Sequence, residues 1–158
     1  MSTMLRISDA ASLAMHMAVY LAEHPDRVVS VREAASVLGV SDNHLSKVCQ
    51  RLQKAGILKA VRGPRGGFIL TSPPETITLL DVYEAVDGCA EPKPCLLGRD
   101  KCTRSRCVMG ELAQSVNDMV VNYFAATTIA GGSIGSRKIK TRRNELCQQC
   151  SAINASRR

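Results

Sequence analysis

The chain has 158 residues, 45% of them hydrophobic, with no Trp and only two Phe. That is enough apolar material for one domain with an extension, its core aliphatic rather than aromatic. The formal net charge is +7, and it is concentrated: residues 136–158 carry seven Arg/Lys against one Glu, and residues 41–65 six against one Asp. Two basic patches on an otherwise acidic body point to an anionic polymer as partner. No apolar run approaches the ~18 residues that span a bilayer, and Met1 to Ala22 holds Arg6, Asp9 and His16 rather than a signal-type apolar block. A cytoplasmic protein without membrane contact is expected. In that compartment seven cysteines argue for metal or redox chemistry rather than structural disulfides.

The first predicted helix runs from Ile7 to Glu23. Leu13, Met17, Tyr20 and Leu21 recur at helical spacing with Ala10, Ala14 and Ala18 between them. His24-Pro25 ends it, because the residue before a proline is steered out of the α region. His16 and His24 read as solvated surface. Ser30-Val-Arg-Glu33 is a capping box opening a short helix, Val31 to Leu38, which Gly39 stops. Ser41 caps the next helix, with Leu45, Val48 and Leu52 on one face and Gly56 as its end. Two helices around a glycine turn, the second basic, form a helix-turn-helix pattern. Asn43, His44, Lys47 and Arg51 fall away from the leucines, where they suit base edges and phosphates, with Ser41 at the helix start. Cys49 on the same helix reads as a small buried residue.

Two β-rich runs, Ile57 to Arg62 and Phe68 to Thr71, flank Gly63-Pro-Arg-Gly-Gly67. A hairpin directly after a recognition helix is a wing, with Arg62 and Arg65 at its tip and glycines that would let its backbone approach DNA. After Pro73-Pro74, Thr78-Leu-Leu-Asp81 caps a helix that Gly88 ends. Then comes CAEPKPCLLGRDKCTRSRC, with Cys89, Cys95, Cys102 and Cys107 separated by five, six and four residues. Beyond it Leu112, Val116, Met119, Val120, Tyr123 and Thr127 stripe a helix over about 108–128. It lies outside the winged-helix core and reads as a dimerisation helix, which would present two recognition helices to a palindromic site. Residues 131–136 read as a flexible linker to a basic, disordered tail holding Cys147-Gln-Gln-Cys150.

The fold class is therefore mainly α with a small β-hairpin wing. The expected parts are a winged helix-turn-helix DNA-binding domain at 1–88, a cysteine-rich loop at 89–107, a dimerisation helix at 108–130 and a flexible basic tail at 131–158. No nucleophile–base arrangement or phosphate-cradling loop points to an enzyme.

These residues resemble the Rrf2 family of bacterial transcription regulators. The resemblance rests on AVYLA, SVREAASVLGVS, HLSKVCQRLQKAGILKAVRGPRGGF, TLLDVYEAVDG and the cysteine loop before a long helix. It implies a homodimeric winged-helix regulator, and in many members an iron–sulfur cluster in that loop. Cys89 and Cys95 match the spacing of the family's first two ligands. Cys102 and Cys107 compete for the third place or complete the set together. In several relatives the partner's first helix supplies a ligand; Ser12 stands there in this chain, with Asp9 one turn away. Four thiolates suffice for a [2Fe–2S] or [4Fe–4S] cluster, and Lys93, Arg99, Lys101, Arg104 and Arg106 favour the thiolate form. A metal-free thiol switch is the rival within the regulator class. A zinc-binding, non-regulatory interaction protein is the rival outside it, although the gaps are longer than those of most zinc knuckles.

Overall fold

The computed structural model describes residues 7–64, 66–90 and 109–131. Three helices come first: α1 (Asp9–Ala22), α2 (Val31–Leu38) and α3 (Asp42–Lys54). A hairpin of β1 (Leu58–Val61) and β2 (Gly67–Leu70) follows. A 3₁₀ turn at Pro74–Thr76 leads into α4 (Leu79–Asp87), and α5 (Gly110–Ala126) is the last element. Among the described residues no helix is long and apolar enough to cross a membrane.

The helices α1 to α4 each start where a short polar side chain replaces the missing intrahelical acceptor. Ser8 accepts from the Ala11 N–H at 3.0 Å, so α1 begins two residues later than its apolar pattern suggests. Ser30 accepts from the Glu33 N–H at 3.2 Å. The Glu33 carboxylate does not complete that capping box. It turns to the Tyr20 hydroxyl at 3.1 Å and the Arg27 guanidinium at 2.7 Å. Burial pushes the Glu33 carboxyl up, but these two donors outweigh it and hold it below the ordinary carboxylate value. The box opening α4 is complete: Thr78 Oγ1 accepts from the Asp81 N–H, and Asp81 Oδ2 accepts from the Thr78 N–H at 2.8 Å.

The core is aliphatic, as the composition requires. Met17 and Leu21 of α1, Val29, Leu45, Val48 and Leu52 of α3, Leu58 and Val82 are all essentially inaccessible. Ala11, Ala14 and Ala18 are fully buried, and with no side chain beyond Cβ they let α1 lie close to its neighbours, α3 and α4. His16 is exposed, but His24 is half-buried with its ring 4.5 Å from that of Tyr20, so only the first of the two is a plain surface histidine.

The wing is antiparallel, with Leu58 opposite Leu70 and Val61 opposite Gly67. Its inner strand also pairs with a residue far back in the chain. Phe68 donates to the Val29 carbonyl at 2.9 Å and accepts from the Val29 N–H at 3.1 Å. A Cβ on Gly67 would run into that Val29 carbonyl, and one on Gly66 would meet the Val61 carbonyl at 2.7 Å. These glycines therefore let the wing pack on its own domain, a role that turn chemistry and DNA approach had not suggested.

The last helix is not wholly outside the domain. Val121 and Ala125 bury against Leu80, and Ile129 joins the main core. Leu79 N–H donates to the Thr127 carbonyl at 2.9 Å, and Ile129 N–H to the Ile77 carbonyl at 3.0 Å. Thr127 thus leaves the proposed stripe, because its backbone supplies an acceptor to the start of α4. Leu112, Val116, Met119 and Tyr123 are 42–72% exposed, while Val120 is half-buried.

Replacing Gly67 by Ala is expected to lower stability by roughly 1–3 kcal/mol, the usual range for forcing an extra carbon into packed structure. Urea denaturation checks this. The midpoint should fall while the dependence on denaturant stays unchanged.

Candidate nucleic-acid interface and thiol junction

The buried stripe of α3, Leu45, Val48, Cys49 and Leu52, fixes which side of the helix faces out. Asn43, His44, Lys47 and Arg51 are all exposed, as the sequence pattern suggests. Gln50 and Lys54 are exposed as well. They continue the row from Asn43 and Lys47 at helical steps of four, three and four. Extending the spacing from Asn43 and Lys47 would have found them. Ser41 Oγ is engaged as the cap, accepting from the His44 N–H at 3.3 Å, and it keeps its own proton for donation outward. Arg62 is exposed at the wing end of β1. Arg65 lies outside the described residues.

Arg51 behaves differently from its neighbours. One of its terminal nitrogens donates to the Val86 carbonyl at 3.4 Å, so the guanidinium sits at the end of α4. His44 borders an open hollow of about 400 Å³ that it shares with Asp9, Ser12, Leu13 and His16 of α1 and with Leu38 and Val40. The two α1 residues considered as cross-subunit ligands thus lie beside the start of α3.

Cys89 follows Gly88 directly and is half-buried. Three ties hold the chain around it. Ser8 Oγ donates to Asp87 Oδ1 at 2.8 Å, which joins the start of α1 to the end of α4. Ala90 N–H donates to Glu84 Oε1 at 3.1 Å, folding the residue after Cys89 back onto the helix. Arg51 supplies the third. The other oxygen of Glu84 is buried with no hydrogen-bond partner among the described residues, an acceptor that no local pattern singles out. Burial and the carboxylates of Asp87 and Glu84 raise the Tyr83 phenol above its ordinary value. This end of α4 is electronegative.

Cys95, Cys102 and Cys107 lie outside the described residues, as do Cys147 and Cys150 and the whole basic tail. Among the described residues no group of three or more His, Cys, Asp or Glu side chains is placed to hold a metal ion. Cys49 is fully buried on the inner face of α3, and burial pushes its thiol up to about 12. It is a packing residue, as its pattern position suggests.

The Rrf2 family model, described as an iron-dependent transcriptional regulator, matches residues 7–131. The chain belongs to the Rrf2 family. An HTH-type transcriptional regulator of Aquifex aeolicus is 34% identical over 125 residues, covering 77% of this chain and 87% of that one. Among solved structures, CymR, described as the global cysteine regulator of B. subtilis, superposes with a TM-score of 0.67 at 25% identity, over 80% of this chain and 94% of its own. IscR of T. potens superposes with a TM-score of 0.65 at 23% identity, over 81% of this chain and 85% of its own, a likeness of fold. This Rrf2 protein is accordingly a winged-helix transcription regulator and not an enzyme, in a family that acts on DNA.

In the folded Rrf2 protein Cys49 should resist alkylation by iodoacetamide at neutral pH, because so little of it is thiolate and none of it is accessible. Mass spectrometry of peptides from native and urea-unfolded samples checks this. The Cys49 adduct is expected in the unfolded sample alone.

Proposed function

We propose that this protein binds a palindromic double-stranded DNA operator as a homodimer, and that an iron–sulfur cluster at the cysteine loop sets its affinity for that operator. The observation that carries the reading is the placement of Cys89. It follows the last turn of α4, the turn that also holds a side chain of α3, the proposed recognition helix. Asn43, His44, Lys47 and Arg51, with Ser41 at the helix start, are the residues proposed to meet the major groove, and Arg62 and Arg65 the minor groove. A row of amide and cationic side chains along an exposed helix fits direct readout and phosphate contact. Gln50 and Lys54 join that set.

Cys89, Cys95, Cys102 and Cys107 are the proposed ligands of a [2Fe–2S] or [4Fe–4S] cluster. Of these Cys89 is the one among the described residues, and its half-buried seat against α4 suits a ligand at the edge of a folded domain. The cluster would supply a redox- and nitric-oxide-sensitive centre in place of four separate thiols. A cytoplasmic location accompanies the reading, since thiolates are kept reduced there. The family description as iron-dependent supports it. The second reading, a metal-free thiol switch at the same cysteines, draws support from the likeness to a protein described as a global cysteine regulator. Anaerobic purification followed by visible absorption and iron and sulfide analysis separates the two. A coloured protein with stoichiometric iron and sulfide, lost in Cys95→Ala, is expected. A colourless, iron-free protein with unaltered operator binding would overturn the cluster.

On the DNA side, Lys47→Ala should weaken binding evenly across sequences and lower the salt dependence of log K by about one unit. Asn43→Ala should relax base preference by ~1–3 kcal/mol at one position. Titrations of operator and scrambled duplex at several salt concentrations distinguish these outcomes.

The homodimer is proposed to form through the row Leu112, Val116, Met119 and Tyr123, since exposed apolar side chains repeating along a helix cost free energy in water until they are covered. Met119→Asp is expected to shift sedimentation from dimer to monomer while the far-ultraviolet circular dichroism stays the same.

A further inference from the structure

A helix ends with four backbone carbonyls that lack intrahelical donors and with a partial negative charge, which a cation in the last turn offsets. The last turn of α4 contains no basic residue. It carries Asp87, and Glu84 lies a turn earlier with one oxygen buried and without a partner among the described residues. The cation arrives from elsewhere: Arg51, in the last turn of α3, donates to the Val86 carbonyl. The same short segment holds the start of α1 through Ser8 and Asp87, and the residue after Cys89 through Glu84 and Ala90. The chain around Cys89 is thus tied to a turn whose charge is balanced by the recognition helix.

We infer that Arg51 is a positioning residue that couples the state of Cys89 to the DNA-reading face, through its bond to the end of α4. The inference rests on the proposed sensor reading and deepens it. Arg51 has two possible partners, the Val86 carbonyl and a DNA phosphate, and the bond to Val86 restricts where its guanidinium can reach. A change at Cys89 that moves the Val86–Ala90 segment alters how firmly Arg51 is held. It therefore alters both the seating of α3 and the cation available to DNA. Lys47, on the neighbouring exposed row, makes no such bond among the described residues and acts on DNA alone. By reciprocity, the factor by which the loop changes operator affinity is the factor by which operator changes the loop.

The test measures operator affinity of the full chain in three states: cluster-loaded under anaerobic conditions, metal-free with thiols reduced, and metal-free with accessible thiols capped by N-ethylmaleimide. Arg51→Met removes the donor and the charge but keeps an unbranched stem and good helix propensity. Affinities in the natural chain are expected to differ between states by roughly 5- to 150-fold, the usual span of such coupling. In Arg51→Met the ratios between states should fall to about one. In Lys47→Ala affinity should drop by the same factor in every state, leaving the ratios intact. If the natural chain responds to its state and Arg51→Met responds equally, the role of Arg51 is overturned and the sensor reading stands. If the natural chain binds equally in all three states, the sensor reading itself is overturned, and with it the coupling.

Discussion

The carbonyls at the end of α4 need donors, and no side chain of its own last turn supplies a cation. Gly88, at φ 85°, turns the chain away and donates back to the Glu84 carbonyl at 3.1 Å. Arg51 reaches in from α3. Ser8 ties Asp87 to α1, and Ala90 is drawn back by Glu84. One turn of helix consequently meets α1, α3 and the cysteine segment. Placing a thiol immediately after this turn ties its surroundings to the winged-helix domain rather than leaving them an appendage to it.

Such a junction transmits displacement only if its supports are stiff. Here α1 presents alanines, Ala11, Ala14 and Ala18, to its neighbours, with Leu13, Met17 and Leu21 filling the space between. Small side chains bring backbones close, and a close-packed aliphatic interior has few voids in which to absorb a shift. The wing is held in the same way, by backbone bonds between Val29 and Phe68 that only a glycine at 67 permits. At the other end Ile77, Thr78, Thr127, Thr128 and Ile129 stitch the close of α5 to the start of α4. The exposed row of α5 is thus fixed relative to α4, and with it any partner that covers the row.

Much of this was legible in the residues. Ser30, Ser41 and Thr78 cap the helices they were expected to cap, and Gly39, Gly56 and Gly88 follow the ends they were expected to mark. Caps and left-handed glycines are local chemistry, so they can be read from neighbours in sequence. The outward face of α3 was legible too, because its buried partners recur at helical spacing. What escaped depends on residues distant in the chain. Glu33 abandoned its reciprocal cap for Tyr20 and Arg27, a choice set by where α1 ends. Val29 joined the wing through a single bridge, too short to leave a strand pattern. Ile129 entered the core although it lies past a helix that seemed external. Arg51, grouped by type with Lys47, turned instead to a carbonyl 35 residues away in sequence. The proposed ligands other than Cys89 lie outside the described residues and stand on spacing, charge and family resemblance.

The most direct measurement of the central claim is amide hydrogen exchange on the full chain, with and without a selected operator duplex. If the end of α4 is the junction between the DNA reader and the cysteine segment, operator binding changes exchange at Gly88 and Ala90 together with α3 and the wing. A change confined to α3 and the wing, with Gly88 and Ala90 exchanging as before, would contradict it.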